Sequence, residues 1–305
     1  MPPSPRLTDP GEAETTSSGR QGSPVWRLIL HPAADGARNM AVDEAILQGY
    51  VHSHTSPVPT LRLYAWNPPA LSLGRTQKAR ISADREFLVA RGIDLVRRPT
   101  GGRAVLHEAE RTYAVIGSLR RSPFNGGVHE VYRRIARVLR EALRRLGVPA
   151  GAAPAEGSSP SPRGGDGVGP ACFDAPGVHE IVVGGRKVIG SAQLRRRGAF
   201  LQHGSILLDS DAARLGRAVG SSTPVAGFTD LGRLLGRPMD PGEIDRAITA
   251  ACADCFGVRL EPGELTGEEA DLAARLRCWK YDSAAWTLEG RSGDRERRRG
   301  PDLTH

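Results

Sequence analysis

Segments in which apolar and polar residues alternate are interspersed with segments in which apolar residues recur every three or four positions. Alternation is typical of half-buried strands, and the longer spacing is typical of helices. The alternating segments predict strands at 25–30, 60–66, 71–74, 94–97, 104–106, 113–118, 180–183, 186–189 and 205–208. The helical spacing predicts helices at 39–50, 84–91, 129–146 and 244–256, and a last ordered piece at 280–288. Since no regular βαβ repeat emerges, we predict an α/β protein of the α+β type, with a mixed central sheet flanked by helices and a small helical C-terminal portion.

The distribution of helix-breaking residues separates one folded unit from three polar segments. Residues 1–24 and 291–305 are poor in apolar residues and are predicted to be disordered tails, the second of them basic. Residues 150–169 are almost entirely Gly, Ala, Pro and Ser, which predicts a flexible insertion within a domain that spans 25–290. The strands on either side of Gly184-Gly185 are predicted to form a hairpin.

The composition also bears on cellular location. No apolar run approaches the length of about 20 residues that spans a bilayer, so we expect no membrane insertion. Residues 1–23 lack the apolar centre of a secretory signal. Four cysteines without the dense spacing of a disulfide-stapled domain favour a reducing cytoplasm.

The chain carries a formal net charge of +8 and has a pI near 9.8. Such a charge favours an acidic partner through long-range steering. Aromatic residues make up only 5% of the chain, and none are interleaved with the basic runs as in nucleic-acid-binding motifs, so we expect no nucleic acid. An acidic protein partner is consistent with this charge, and a general arginine bias would give the same charge without any partner.

A glycine turn is predicted between the fourth and fifth strands, in the string Arg97-Arg98-Pro99-Thr100-Gly101-Gly102-Arg103-Ala104-Val105-Leu106-His107. Paired glycines allow backbone N–H groups to approach a ligand closely. The adjacent arginines could neutralise a phosphate or hold the prosthetic arm of an acyl carrier. By itself, a Gly-Gly pair is more often a plain turn.

Cys172 is the candidate nucleophile, in the string Pro170-Ala171-Cys172-Phe173-Asp174. Nearby positive charge lowers the pKa of a thiol from about 8.5 toward neutrality, and Arg186-Lys187 follows along the chain. The alternative for Cys172 is a small buried apolar residue. Lys187 could stabilise a carbonyl oxyanion or hold a carboxylate, and its alternative is a cation that faces solvent.

Two further strings complete the set of chemically interesting segments. They are Gly185-Arg186-Lys187-Val188-Ile189-Gly190-Ser191-Ala192-Gln193 and Leu201-Gln202-His203-Gly204-Ser205. His203 could act as a base or serve as a structural hydrogen-bonding group. Cys252 and Cys255 have the spacing of a metal-binding pair, but with Cys278 they lack a fourth ligand, so we predict helix packing and no metal site.

Taken in this order, the four strings resemble the biotin/lipoate protein ligase superfamily. The resemblance runs from about Trp26 to about Trp286 and includes the strings Asn39-Met40-Ala41-Val42-Asp43-Glu44-Ala45 and Lys280-Tyr281. ATP-dependent lipoate ligases of this superfamily typically have a third glycine where this chain has Arg103, and they lack a cysteine at the position of Cys172. The chain therefore looks closest to the cysteine-dependent octanoyltransferases of the LipM type.

This resemblance implies a biotin/lipoate ligase-like catalytic domain and an acyltransferase. It implies transfer of an octanoyl group from acyl carrier protein, through a thioester on Cys172 assisted by Lys187, to a lysine of a lipoyl domain or of the glycine cleavage H protein. No cofactor is then required. The substrate-binding residues that we infer on this basis are Arg98, Gly101, Gly102, Arg103, Ala104, Val105, His107, Gly190, Ser191, Ala192, His203 and Gly204. The apolar residues expected along the eight-carbon chain are Val105, Ile181, Val183 and Ile189.

Two other functions stay open at this point. An ATP-dependent lipoate ligase would use the same fold, and Arg103 and Cys172 argue against it. A non-catalytic module that binds carrier proteins or nucleic acid through its basic face would have no need of the Cys172/Lys187 pair.

Overall fold

The structure is a computed structural model that describes residues 22–52, 57–152 and 180–291. Its strands are β1 (Val25–Leu30), β2 (Thr60–Tyr64), β3 (Ala70–Leu73), β4 (Asp94–Arg97), β5 (Val105–His107), β6 (Glu110–Ser118), β7 (Gly151–Ala152), β8 (Ile181–Val183), β9 (Arg186–Arg196), β10 (Ala199–Leu207) and β11 (Arg259–Pro262). Its helices are α1 (Gly36–His52), α2 (Ala79–Ser82), α3 (Arg85–Ala90), α4 (Val128–Arg145), α5 (Ala212–Ala218), α6 (Leu231–Leu235), α7 (Pro241–Phe256), α8 (Gly267–Leu276) and α9 (Ala284–Glu289). A π-helical turn, Arg277–Tyr281, joins α8 to α9.

The strands form two sheets. The larger sheet has eight strands in the order β11-β1-β2-β6-β10-β9-β8-β7. The pairs β11–β1 and β1–β2 are parallel and the remaining pairs are antiparallel. The smaller sheet has the order β4-β3-β5, with one parallel and one antiparallel pair. The prediction of a mixed sheet is confirmed.

Helices cover both faces of the larger sheet, as the alternation along its strands requires. Tyr113 and Val115 on β6 pack in the same core as α4 and α7. Ala114 and Ile116 on the same strand pack in a second core with α1, α8 and α9. Successive side chains of a strand point to opposite faces, so β6 contributes to both cores. The smaller sheet packs against α3 and α5 in a third core.

The predicted elements agree with the observed ones in order and position, but β7, β11, α2, α5, α6 and α8 have no individually predicted counterpart, and one hairpin is longer than predicted. The hairpin around Gly184-Gly185 is confirmed, but β9 runs to Arg196 and β10 begins at Ala199, well beyond the predicted strands. The polar residues of this longer hairpin, from Gln193 to Arg197, hide the alternation that would have indicated it. None of the helices in the described residues combines the length and the apolar character needed to cross a membrane.

The predicted tails and the predicted insertion at 150–169 lie almost wholly outside the described residues. The first residues of that insertion are described, and Gly151 and Ala152 pair with Val182 and Ile181 at the edge of the larger sheet. The predicted packing role of Cys252 agrees with its position in α7, where burial raises the pKa of its thiol to about 12.

An ion pair buried between α1 and the π-helical turn holds the C-terminal segment to the core. The Lys280 Nζ atom donates to both carboxylate oxygens of Glu44, at 2.7 and 3.0 Å, and the Tyr281 hydroxyl donates to the same carboxylate. Burial by itself would raise the pKa of Glu44, but Lys280 and Tyr281 hold it below its usual range. Lys280 also lies 4.1 Å from the centroid of the Trp286 ring.

We expect Lys280→Met to lower the free energy of unfolding by about 3 kcal/mol, because the buried Glu44 carboxylate loses its nearer counter-charge and keeps only the longer contact with Arg196, at 3.6 Å. Urea denaturation at pH 7 measures this. The exposed Arg291–Glu289 pair provides the control, since Arg291→Ala should cost less than about 1 kcal/mol. Glu44→Gln combined with Lys280→Met should recover part of the loss, and equal losses in the single and double variants would contradict this account.

Candidate functional site

The candidate site is a pocket between the smaller sheet and the face of the larger sheet that α1 covers. The space between its walls, including the part that is open to solvent, is about 410 Å³. The residues that line it are Met40, Tyr64, Trp66, Ser72, Arg98, Gly102, Val105, His107, Thr112, Gly190, Ser191, Ala192, His203, Gly204 and Ser205.

Gly204 on β10 packs so closely against the neighbouring strands that a side chain would find no space. A Cβ atom on Gly204 would lie 2.3 Å from the Gly190 carbonyl oxygen and 2.7 Å from the Tyr113 ring. Tyr113 fills this space and bonds through its hydroxyl to Ser191 Oγ at 2.7 Å. The requirement for glycine at 204 therefore comes from the neighbouring strands.

Two buried arginines hold the glycine turn that forms the opposite wall. The Arg98 guanidinium donates to the carbonyl oxygens of Gly101, Arg103 and Ser72 at 2.7–3.2 Å. Arg97 is only 1% exposed and donates to six carbonyl oxygens. We predicted from the sequence that these arginines could face a phosphate or a prosthetic arm; instead, the turn itself and the segments around it occupy their donors.

The carbonyl oxygens that Arg97 binds belong to two separate segments. One is the loop from Gly74 to Gln77, and the other is α9, from Trp286 to Leu288. A Cβ atom on Gly74 would lie 1.8 Å from the Gly102 carbonyl oxygen, so this loop packs directly on the glycine turn. Arg97 thus fixes the turn through the loop behind it.

On the α1 side of the pocket, Asp43 accepts hydrogen bonds from three side chains on β2 and β10. Arg62 Nη1 donates to its carboxylate at 2.6 Å, the Tyr64 hydroxyl at 2.9 Å and His203 Nδ1 at 2.9 Å. The His203 Nε2 atom lies 2.7 Å from Thr100 Oγ1. Because a carboxylate can only accept, Nδ1 carries a proton, and a neutral His203 accepts the Thr100 hydroxyl hydrogen at Nε2.

This network determines the charge of Asp43. Its complete burial would raise the pKa of the carboxyl group, but Arg62 and His203 more than offset burial and hold the pKa below its usual range. Arg62 donates through Nε to His31 Nδ1 at 2.9 Å. Burial, with the nearby Arg62 charge, lowers the pKa of His31 to about 4, so His31 is a neutral acceptor at pH 7.

A second polar cluster lies around His107. Its ring stacks on Trp66 with centroids 3.9 Å apart, and its Nε2 atom lies 2.8 Å from Ser72 Oγ. Burial lowers the pKa of His107, although Glu110 opposes this effect. Glu110 accepts hydrogen bonds from the hydroxyl groups of Thr112 and Ser205.

These hydrogen bonds decide what the pocket can bind. The hydroxyl groups of Ser72, Thr112 and Ser205 are all engaged with protein groups. Engaged polar groups no longer need a partner in the cavity, which leaves methyl, ring and backbone CH surface toward a ligand. These hydroxyl groups therefore need no partner from an apolar ligand, whereas the buried Nδ1 atom of His107 has no hydrogen-bond partner among the described residues.

Most of the residues predicted to bind substrate lie together at this pocket. Those that line it are Arg98, Gly102, Val105, His107, Gly190, Ser191, Ala192, His203 and Gly204. The other three, Gly101, Arg103 and Ala104, belong to the same turn but do not line the cavity. Ala104 is fully buried in the third core.

The two residues predicted to be catalytic are placed differently. Cys172 lies outside the described residues. Lys187 lies on β9, three residues before Gly190, is 1% exposed and forms an ion pair with Glu180. It is not among the residues that line the pocket.

The apolar residues expected along the acyl chain are corrected in part. Val105 lines the pocket, as predicted. Ile181, Val183 and Ile189 instead pack in or against the core formed with α4 and α7, on the other side of the sheet. Neighbouring β9 residues can serve opposite faces, so nearness in sequence to Gly190 did not indicate the pocket.

Sequence reasoning did not single out six of the pocket residues: Met40, Tyr64, Trp66, Ser72, Thr112 and Ser205. One signal was available for Ser205, because it shares a strand face with His203 in an otherwise apolar strand. Thr112 lies two residues before Ala114 on β6 and therefore shares its strand face. No group of three possible metal ligands (His, Cys, Asp or Glu) is assembled within the described part of the chain.

We expect Gly204→Ala to destabilise the protein by about 1–3 kcal/mol, because its Cβ would overlap the Gly190 carbonyl and the Tyr113 ring. Gly101→Ala is the matched control, since a Cβ there meets nothing within 4 Å. Thermal unfolding of the two variants beside the parent measures the difference. Equal stability of the two variants would contradict the packing at β10.

Asp43 should make the stability of the protein depend on pH. Its folded pKa lies below the unfolded value of about 3.9, so its contribution is complete above about pH 4 and is lost as the pH falls through the folded pKa. We expect Asp43→Asn to be about 3–5 kcal/mol less stable than the parent at pH 7, because Arg62 loses its counter-charge. Urea unfolding from pH 7 to pH 3 should show this gap narrowing, and a constant gap would exclude the ion pair as its cause.

Comparisons with known proteins identify the family and agree with this fold. The family model for the lipoyl protein ligase A/B catalytic domain matches residues 35–253. Octanoyltransferase LipM of Kyrpidia tusciae is 42% identical over 278 residues, which cover 86% of this chain and 98% of the relative. Octanoyltransferase LipM of Symbiobacterium thermophilum is 42% identical over 275 residues, with the same coverage of 86% and 98%.

Solved structures share the fold. A lipoate-protein ligase A bound with ATP superposes with a TM-score of 0.72 at 23% identity, covering 86% of this chain and 98% of that one. A bipartite lipoate protein ligase from Thermoplasma acidophilum, studied with its E2 lipoyl domain, gives a TM-score of 0.70 at 22% identity, covering 87% and 96%. The family match spans well over half of the chain, and the curated relatives are covered almost end to end. The chain therefore belongs to the lipoyl protein ligase A/B catalytic domain family and is an enzyme of its acyltransferase branch.

Proposed function

We propose that this protein is an octanoyltransferase of lipoate biosynthesis. In this reaction the octanoyl group leaves acyl carrier protein, forms a thioester with Cys172 and passes to a lysine of a lipoyl domain or of the glycine cleavage H protein. The observation that carries the proposal is the pocket, which brings the glycine turn together with the Gly190–Ala192 and His203–Gly204 segments. The curated relatives, which are named octanoyltransferases and are covered over 98% of their length, support it.

The pocket suits an acyl chain energetically. Each methylene group removed from water contributes about 0.8 kcal/mol, so an eight-carbon chain would gain several kcal/mol. The hydroxyl groups around the cavity already have partners, so the chain displaces none of their hydrogen bonds. This saturation supports an apolar substrate over a polar one.

In the first step the Cys172 thiolate attacks the carbonyl carbon of the octanoyl thioester on the carrier. A new C–S bond forms at Cys172, the bond to the carrier sulfur breaks, and the carrier thiolate leaves and takes up a proton. The step exchanges one thioester for another, so it is close to balanced in energy. It needs neither ATP nor a redox partner.

In the second step the neutral ε-amine of the acceptor lysine attacks the octanoyl-Cys172 thioester. An amide bond forms, the C–S bond breaks, the nitrogen loses one proton and the Cys172 thiolate is regenerated. Because an amide is more stable than a thioester, this step drives the overall transfer. We assign to Lys187 the stabilisation of the Cys172 thiolate and of the oxyanion that develops on the acyl carbonyl oxygen, because both groups are negatively charged.

Glu180 bears on this role of Lys187. The carboxylate accepts from the Lys187 ammonium, which is otherwise buried. To act on the acyl carbonyl, the ammonium group must exchange this carboxylate for the thiolate or the oxyanion. Glu180 thus keeps the buried charge compensated in the absence of substrate.

The test is the intact mass of the protein after mixing with octanoyl acyl carrier protein in the absence of ATP. We expect a single octanoyl adduct that hydroxylamine removes, since hydroxylamine cleaves thioesters. Cys172→Ala should form none. Cys278→Ala is the matched control, because Cys278 is exposed and lies on the π-helical turn, so its loss should leave the adduct unchanged.

Two results would contradict the proposal. An adduct that persists in Cys172→Ala would exclude Cys172 as the acceptor of the acyl group. No adduct in the parent, together with lipoyl-adenylate formation once ATP and lipoate are supplied, would identify an ATP-dependent lipoate ligase instead.

A further inference from the structure

Five arginines gather at one end of the larger sheet. Arg195, Arg196 and Arg197 lie at the turn between β9 and β10, and Arg120 and Arg121 follow the end of β6. The two groups are in contact, because the Leu119 backbone N–H donates to the Gly198 carbonyl oxygen at 2.7 Å. In addition, a Cβ atom on Gly198 would touch the Arg120 guanidinium. We call these five residues the arginine end.

Acidic side chains within the described residues compensate little of this positive charge. Arg196 lies 3.6 Å from Glu44, whose carboxylate Lys280 and Tyr281 already bind. Within the described part of the chain, Arg195 donates to the Gln193 side chain and the Gly126 carbonyl oxygen and forms no ion pair. Within residues 22–52, 57–152 and 180–291, no ion pair engages Arg120, Arg121 or Arg197.

The arginines of α4 differ in this respect. Arg134 pairs with Glu130, Arg144 pairs with Glu141, and Arg145 pairs with both Glu141 and Asp254. Acidic side chains thus pair with three of the six arginines of this helix, and Arg133, Arg137 and Arg140 form no ion pair within the described residues. In the arginine end, four of the five arginines form no ion pair within the described residues, so a larger share of its positive charge acts on an approaching protein.

The arginine end lies on the same hairpin as the pocket. Ala192 lines the pocket and Arg196 is four residues further along β9, about 13 Å at the usual strand rise. On the neighbouring strand, His203 lines the pocket and Ala199 begins the strand beside the turn. A rigid two-stranded ribbon thus fixes the distance between the charged surface and the cavity.

We infer that the arginine end is the docking surface for the donor, an acidic acyl carrier protein that presents its acyl group on a long prosthetic arm. This inference rests on the proposed function. A phosphopantetheine arm is several times longer than a lysine side chain. A carrier seated about 13 Å from the pocket can therefore still deliver its thioester, whereas an acceptor lysine requires its domain to sit at the mouth itself.

The test compares acylation of Cys172 by two donors, octanoyl acyl carrier protein and the small thioester octanoyl-pantetheine. Arg120→Glu/Arg121→Glu should lower the second-order rate constant with the carrier protein by about tenfold or more, because like charges would then face each other. The rate constant with octanoyl-pantetheine should stay within about twofold of the parent. The parent rate with the carrier protein should fall as salt is added, and the variant rate should respond less.

Arg140→Glu/Arg144→Glu is the matched control. It reverses two charges near the far end of α4, whose 18 residues span about 27 Å, and should leave both rate constants unchanged. Arg197→Glu, which changes the β9–β10 turn instead of the β6 end, should reproduce the loss toward the carrier. Carrier acylation at the parental rate in both arginine-end variants would overturn the inference.

A binding measurement tests this inference independently of the proposed reaction. Holo acyl carrier protein is titrated into Cys172→Ala with and without the Arg120→Glu/Arg121→Glu change. Weaker binding in the combined variant supports the docking surface even if no octanoyl adduct ever forms on the parent. Three results would overturn the inference. They are equal carrier binding by the two variants, no carrier binding to Cys172→Ala, and a charge reversal that weakens binding only to an apo lipoyl domain or to a 20-base-pair DNA duplex.

Discussion

Two adjacent carboxylates on α1 organise this protein. Asp43 and Glu44 are both buried, and each is compensated by cations from distant parts of the chain. Neighbouring positions on a helix point about 100° apart, so the two groups serve different surroundings. Asp43 binds β2 and β10 at the pocket, and Glu44 binds the C-terminal segment. A buried charge without its partner is costly, and the pocket wall and the C-terminal helices are therefore fixed to the same helix.

The other wall of the pocket is held by two arginines that bind backbone carbonyl groups. Arg97 and Arg98 are buried, and their guanidinium groups donate to backbone carbonyl oxygens of the glycine turn, the loop behind it and α9. Five N–H donors in a fixed plane allow one side chain to satisfy several carbonyl groups at once. Several of these carbonyl groups, such as those of Gly101 and Arg103, lie in irregular backbone, where Arg98 supplies hydrogen bonds that regular secondary structure would otherwise provide.

Much of the fold could be predicted from the sequence, because alternation and helical spacing are local properties. The longest helix, α4, was predicted within one residue at each end. The β9–β10 hairpin was underestimated, since its polar residues mask the two-residue period. Most of the pocket could be predicted through the resemblance, whereas Asp43 could not be assigned to it. The contact of Asp43 with His203 joins residues 160 positions apart, and no local pattern carries such information.

The two walls of the pocket differ in a way that follows from the chemistry of their supports. Guanidinium groups keep their charge at any pH a protein tolerates, and carbonyl oxygens do not titrate. The glycine turn, held by Arg97 and Arg98, therefore rests on contacts that acid does not weaken. The α1 wall rests on the Asp43 carboxylate, which takes up a proton when the pH falls through its lowered pKa. Acidification would thus weaken the contacts of the α1 wall, whereas the glycine turn would keep its contacts and its position.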